Sequence, residues 1–127
     1  MVAVEYSMIC ARALATPAEA RGWIADNIAS LLTDQALEAV QLVVSELVTN
    51  AIDHSEGEIE LSVAVLDGLG VRIEVADGSP DCAAVVIRPR DPDGVAGHGL
   101  HLVEAFSEGW GCRAGENRKF VWAVLAN

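Results

Sequence analysis

Apolar residues change their period several times along the chain, and each change predicts an element. From Val2 to about Arg12 most positions are apolar or β-favouring, which suits a short strand despite imperfect alternation. Thr16-Pro17-Ala18-Glu19 supplies a capping hydroxyl, a proline at the first helical position and a glutamate three residues after the cap, so a helix is predicted from Pro17. Trp23, Ile24, Ile28, Leu31 and Leu32 then fall on one helical face, and Thr33-Asp34 provides a stop and a new cap. The next helix, from about Asp34 to His54, is the longest. Its stripe of Leu37, Val40, Val43, Val44, Leu47, Val48, Ala51 and Ile52 is broad enough to require a large surface to lie against, and Gly57 closes it.

The period then drops to two. Ile59, Leu61, Val63 and Val65 alternate with Glu60, Ser62 and Ala64; after an Asp67-Gly68-Leu69-Gly70 turn, Val71, Ile73 and Val75 alternate with Arg72, Glu74 and Ala76. This pattern predicts a β-hairpin. From Asp77 to Ala96 the chain carries Pro80, Pro89 and Pro92 with at most a short extended piece around Ala83–Ile87, and loops of that length in a small domain are usually functional. Leu100, Val103 and Phe106 sit at helical spacing behind Gly97-His98-Gly99, and Gly109 ends that helix. Trp110–Ala114 and Phe120–Leu125 flank Gly115-Glu116-Asn117 as a second hairpin. The order β, α, α, β, β, loop, α, β, β implies an α+β two-layer sandwich, a mixed but mainly antiparallel sheet with helices on one face.

Length and composition narrow the function classes. At 127 residues the sequence reads as one domain spanning 1–127, and 52% hydrophobic against 21% charged residues is ordinary globular usage, which argues against disorder and collagen. The net charge of −11 sets up a field that repels nucleic acid and anionic membrane, and Lys119 is the only lysine among the bases. The first twenty or so residues lack the basic start and apolar run of a secretory signal, and no apolar stretch approaches a membrane span, so a cytoplasmic location is expected. Cys10, Cys82 and Cys112 are odd in number, far apart and without CxxC spacing, so they are expected to be unpaired thiols rather than a disulfide or a metal site.

Three segments carry candidate chemistry. Within the long helix, Glu46, Asn50 and His54 recur every four residues and form one row, where a carboxylate, a carboxamide and an imidazole could face one cavity; the same row also suits a solvated helix face. Carboxamide and carboxylate oxygens are hard ligands suited to Mg²⁺, and a glutamate can take a proton from a nucleophile. Asp77, at the end of a strand, can accept from an exocyclic amine such as that of adenine, while Asp77-Gly78-Ser79-Pro80 equally makes a turn. Gly97-His98-Gly99-Leu100 opens a helix whose free N–H groups attract phosphate, or else simply ends the loop. His98, His101 and Glu104, at successive i, i+3 steps, offer a competing zinc reading.

Taken together and in this order, the segments resemble the ATP-binding domain shared by gyrase, Hsp90, histidine kinases and MutL, the GHKL or Bergerat fold, from about Thr16 to the C-terminus. They look most like its small bacterial anti-sigma regulatory kinase branch. The strongest piece, Ser45-Glu46-Leu47-Val48-Thr49-Asn50-Ala51-x-x-His54, is similar to the family's N box. The resemblance implies that Asn50 coordinates Mg²⁺, that Glu46 is the general base, and that His54 belongs to the nucleotide site. It further implies that Asp77 and Gly78 read the adenine, with the loop behind them as a lid, and that Gly97, His98, Gly99 and Leu100 meet the phosphates. Lys119-Phe120-Val121-Trp122-Ala123 looks like the branch's terminal strand.

One motif departs from the pattern: the first glycine box commonly reads Asp-x-Gly-x-Gly, and here it is Asp77-Gly78-Ser79-Pro80-Asp81. Bases for a triphosphate are also sparse, with none between Arg21 and Arg72, so Mg²⁺, backbone N–H groups and Arg88 or Arg90 are the expected phosphate partners. The implied activity is a serine/threonine-protein kinase that uses ATP and Mg²⁺ to phosphorylate an anti-sigma factor antagonist of STAS type and that binds a sigma factor. The same resemblance suggests a homodimer, and no contact with nucleic acid or membrane is expected. The alternative is a non-catalytic protein-binding module of the same fold with weak or no ATP binding.

Overall fold

The computed structural model describes residues 3–10, 17–66, 70–85 and 98–127. Strands β1 (Ala3–Cys10), β2 (Ile59–Leu66), β3 (Gly70–Asp77), β4 (Gly109–Ala114) and β5 (Lys119–Leu125) form one sheet in the order β1-β2-β3-β5-β4. Every described pairing is antiparallel, so the sheet has no parallel component among the described residues. Helices α1 (Pro17–Ile28), α2 (Asp34–His54) and α3 (His98–Phe106) make the second layer.

Period-two burial decides which strand face the helices cover. Ile59, Leu61, Val63 and Val65 on β2, Val71, Ile73 and Val75 on β3, and Val121, Ala123 and Leu125 on β5 are buried with Val40, Val43, Val44, Leu47, Val48 and Ala51 of α2. The long helix therefore lies on the middle of the sheet, as its broad stripe requires. The Thr33 hydroxyl caps it by accepting from the Ala36 N–H at 3.1 Å. Asn127 ties down the turn before it, donating to the Leu31 carbonyl and accepting from the Thr33 N–H, both at 3.0 Å.

Several expectations change in detail. The first helix ends at Ile28 and continues only as a 3-10 turn over Ala29–Leu31, which swings Leu31 off the apolar face to 39% exposure. Phe106, placed by spacing on the buried side of α3, is 48% exposed, while Leu100 and Val103 are buried. In place of an extended piece near Ala83, the chain forms a 3-10 turn over Cys82–Ala84, capped by the Asp81 side chain accepting from the Ala83 N–H at 2.8 Å. The Thr16 cap, the turn at 67–69, Arg88, Arg90 and Gly97 lie outside the described residues.

Cys82 and Cys112 are joined by a disulfide, with Cα atoms 5.9 Å apart, and this corrects the reading of three unpaired thiols. Spacing along the chain misled because the two cysteines are separated by 30 residues in sequence and meet only when β4 pairs with β5 beside the start of the loop. The bond fastens the turn after Asp81 to the edge strand, on either side of residues 83–111.

Candidate functional site

Two rows of inward-facing residues meet at one end of the core. Counting every second residue along β3 runs Val71, Ile73, Val75 and then Asp77; along β5 it runs back from Leu125 through Ala123 and Val121 to Lys119. Asp77 and Lys119 are directly opposite in the register, on the face that the helices cover. Both side chains are 0% exposed, and the Lys119 ammonium lies 3.1 Å from Asp77 Oδ1. A buried charge pair is tolerated only where its groups are well bonded, because desolvation costs several kcal/mol per ion.

Oδ1 of Asp77 is doubly engaged, accepting from Lys119 Nζ at 3.1 Å and from the Ser79 N–H at 2.9 Å. Oδ2 has no hydrogen-bond partner and is the one buried side-chain nitrogen or oxygen among the described residues in that state. An orphaned buried acceptor costs about 1–3 kcal/mol unless something supplies a donor. A planar base with an exocyclic amine has the required chemistry, so the residues present fit an adenine nucleotide. The turn reading of Asp77 holds: Oδ1 accepts from the Ser79 N–H, and Oδ2 is left without a partner.

Gly78 follows and donates to the Glu56 carbonyl at 3.0 Å. A Cβ there would sit 2.3 Å from that oxygen, so close approach of two backbones is what requires glycine at this point. This contact stitches the segment after α2 to the segment after β3, and so fixes the turn at Asp77-Gly78 against the end of the helix that carries Asn50 and His54. Leu100 lies in the core rather than on a surface, and His98 and Gly99 open α3.

Glu46, Asn50 and His54 keep their row on α2, with Glu46 and Asn50 half-buried and His54 exposed in the last turn. Glu46 lines an open cleft with Arg21, Gln41, Ser45, Ala105 and Phe106, and Asn50 is not on its walls. Sequence reasoning named Arg21 only as the last base before a stretch without any and gave it no place at the site, yet its position is locked. Its guanidinium donates to Ser45 Oγ at 2.8 Å, its carbonyl accepts from Gln41 Nε2 at 3.1 Å, and Ser45 Oγ donates back to the Gln41 carbonyl at 2.8 Å. A cation therefore stands on the same wall as Glu46, brought there by the packing of α1 on α2.

The zinc reading gains nothing. Glu104 accepts a hydrogen bond from Trp110 Nε1, and among the described residues no three His, Cys, Asp or Glu side chains gather to hold a metal. Nor is any helix among the described residues long and apolar enough to cross a membrane.

Comparison with known proteins agrees with the fold. No curated protein matches the chain. The family model described as the histidine kinase-like ATPase domain matches residues 10–125, which includes α2, Asp77, the loop behind it and β5. Members of this superfamily generally bind ATP with Mg²⁺. With helices on one face of a five-stranded antiparallel sheet, consistent with the Bergerat fold, and this match over most of its length, the chain belongs to the histidine kinase-like ATPase domain family of the GHKL superfamily.

Proposed function

We propose that the protein is an ATP-dependent serine/threonine-protein kinase of the anti-sigma type, cytoplasmic, which phosphorylates an anti-sigma factor antagonist of STAS type and binds a sigma factor. The observation that carries the nucleotide part is the unpartnered, buried Oδ2 of Asp77. The kinase part rests on Glu46, whose carboxylate stands four residues before Asn50 on an open wall that a partner's hydroxyl can reach.

In this reading Asn50 holds Mg²⁺, which supplies charge neutralisation at the phosphates. Asp77 orients the base, and the α3 N-terminus offers backbone N–H groups to the phosphates. The partner's hydroxyl oxygen forms the new bond to the γ-phosphorus while the bond from that phosphorus to the β,γ-bridging oxygen breaks. ADP leaves with the electron pair, and Glu46 accepts the hydroxyl proton. Glu46→Ala is expected to lower phosphate transfer from γ-labelled ATP by about a hundredfold or more while leaving ATP affinity within about twofold. Undiminished transfer by that variant would remove Glu46 as the base.

One observation favours a second reading, a non-catalytic protein-binding module. Ser79 and Asp81 stand where the family commonly has glycines, and Oδ1 of Asp77 is already used inside the fold. A wild-type protein that binds its antagonist but transfers no phosphate to it would select this reading.

A further inference from the structure

We propose that Cys82 and Cys112 form a redox modification site: a dithiol opens their disulfide in the folded protein, a disulfide oxidant closes it, and the closed state tightens the nucleotide site beside it. The inference rests on the nucleotide and cytoplasmic readings above and adds a regulator to that site. Its first ground is placement. Cys112 faces Val121 across β4 and β5, as Ala114 faces Lys119. Directly opposite residues share a face of the sheet, so Cys112 lies on the helix-covered face, where it packs against the core and where Asp77 and Lys119 meet. Cys82 follows Asp77 by five residues, and β5 stands between β3 and β4 in the sheet. The disulfide therefore ties the chain leaving β3 to a strand two places away, next to the row that holds Lys119.

The second ground is how little else holds the two ends. The turn over Cys82–Ala84 is three residues long, kept by the Asp81 side chain at the Ala83 N–H and by the Val85 N–H donating to the Cys82 carbonyl at 3.0 Å. On the other side, β4 is an edge strand that pairs with β5 alone among the described strands. Most of the buried core lies on α2, β2, β3 and β5, so the bond adds its hold at the turn and the edge rather than at the centre. When it is closed, the segment from Asp77 to Cys82 is fixed at both ends before a nucleotide arrives. When it is open, binding must order that segment, and the ordering is lost from the affinity. In a cytoplasmic chain a disulfide is more often a transient, redox-sensing bond than a permanent staple.

The exchange starts at Cys82, half-buried between the exposed Asp81 and Ala83. One thiolate of the dithiol attacks the Cys82 sulfur; the bond to Cys112 breaks, and Cys112 leaves with the electron pair and takes a proton. The second thiolate then attacks its own partner sulfur in the mixed disulfide, releasing Cys82, which also takes a proton. The protein gains two electrons and the dithiol becomes a disulfide. Glutathione disulfide reverses the change through a mixed disulfide and leaves as two glutathione thiols.

The test titrates ATP with Mg²⁺ by calorimetry into wild type treated with dithiothreitol or with glutathione disulfide, below both melting temperatures. Mass spectrometry after alkylation counts the thiols in each sample. The oxidised protein is expected to bind ATP about three- to tenfold more tightly than the reduced one, which is what ordering one or two further groups on binding costs, and re-oxidation is expected to restore the affinity. Cys82→Ser, which keeps Cys10 and Cys112, is expected to match reduced wild type and to ignore both reagents; Cys112→Ser is read in the same way if Cys82→Ser does not fold. A difference below about threefold between the two folded states overturns the proposal, as does a variant that still responds. A pair that the dithiol leaves intact, or a wild type that unfolds on reduction, makes the bond a structural staple and overturns it too. Equal ATP binding in both states leaves the nucleotide reading standing, whereas binding in neither state removes that reading as well.

Discussion

The two ends of the proposed nucleotide site are built in opposite ways. At the base end, Asp77 and Lys119 sit on adjacent strands with both side chains fully enclosed, and every atom but one of the carboxylate is already bonded. At the transfer end, Glu46 lines an open cleft and His54 is exposed on the last turn of α2. In the proposed reading the contrast follows from what each end would have to do. Selecting a base requires desolvated, preorganised groups, because a buried polar atom left unpaired is what rejects the wrong ligand. Moving a phosphate to a protein requires a carboxylate that an incoming hydroxyl can reach. The base end should therefore be coupled to folding stability, and the transfer end should be nearly separate from it.

That coupling can be broken most severely at Asp77. Asp77→Ala leaves the Lys119 ammonium buried and uncompensated, a loss of about 3–5 kcal/mol that urea denaturation would register, and ATP binding should vanish with it. Next in size is the tether beside the base end. Cys82→Ser opens a loop whose ends are 30 residues apart. The chain-entropy model gives about 3–4 kcal/mol for such a closure, read as a lowered melting temperature that a reductant reproduces in wild type only. Smallest is the effect at the exposed end of the helix row: His54→Ala should change unfolding free energy by less than about 1 kcal/mol. A destabilisation there as large as that of Asp77→Ala would erase the distinction between the two ends.

Much of this was legible in the sequence because local chemistry and tertiary structure agree. The broad stripe of α2 and the alternation of β2 and β3 each needed a large apolar partner and found one another. Helical spacing gave the row of Glu46, Asn50 and His54 along α2, but not that Glu46 lines an open cleft whose walls do not include Asn50. Lys119 was missed because a lysine normally marks solvent; counting by twos from Leu125 through Ala123 and Val121 would have placed it on the buried face. The disulfide was not legible, since its cysteines are brought together by a strand pairing that sequence spacing does not encode. Arg21 escaped for a similar reason: its partners Gln41 and Ser45 lie on the next helix. Leu31 and Phe106 looked like core because helical spacing was extended past the points where the helices stop or leave the sheet.

The central claim is that α2 and the end of β3 together make a Mg²⁺-dependent nucleotide site. Calorimetric titration of ATP with and without Mg²⁺, on wild type and Asn50→Ala in parallel, tests it most directly. The account predicts binding by wild type that strengthens with Mg²⁺ and an Asn50→Ala protein that loses the Mg²⁺-dependent part. No heat of binding from folded wild type at millimolar ATP, with Mg²⁺ present, would contradict it.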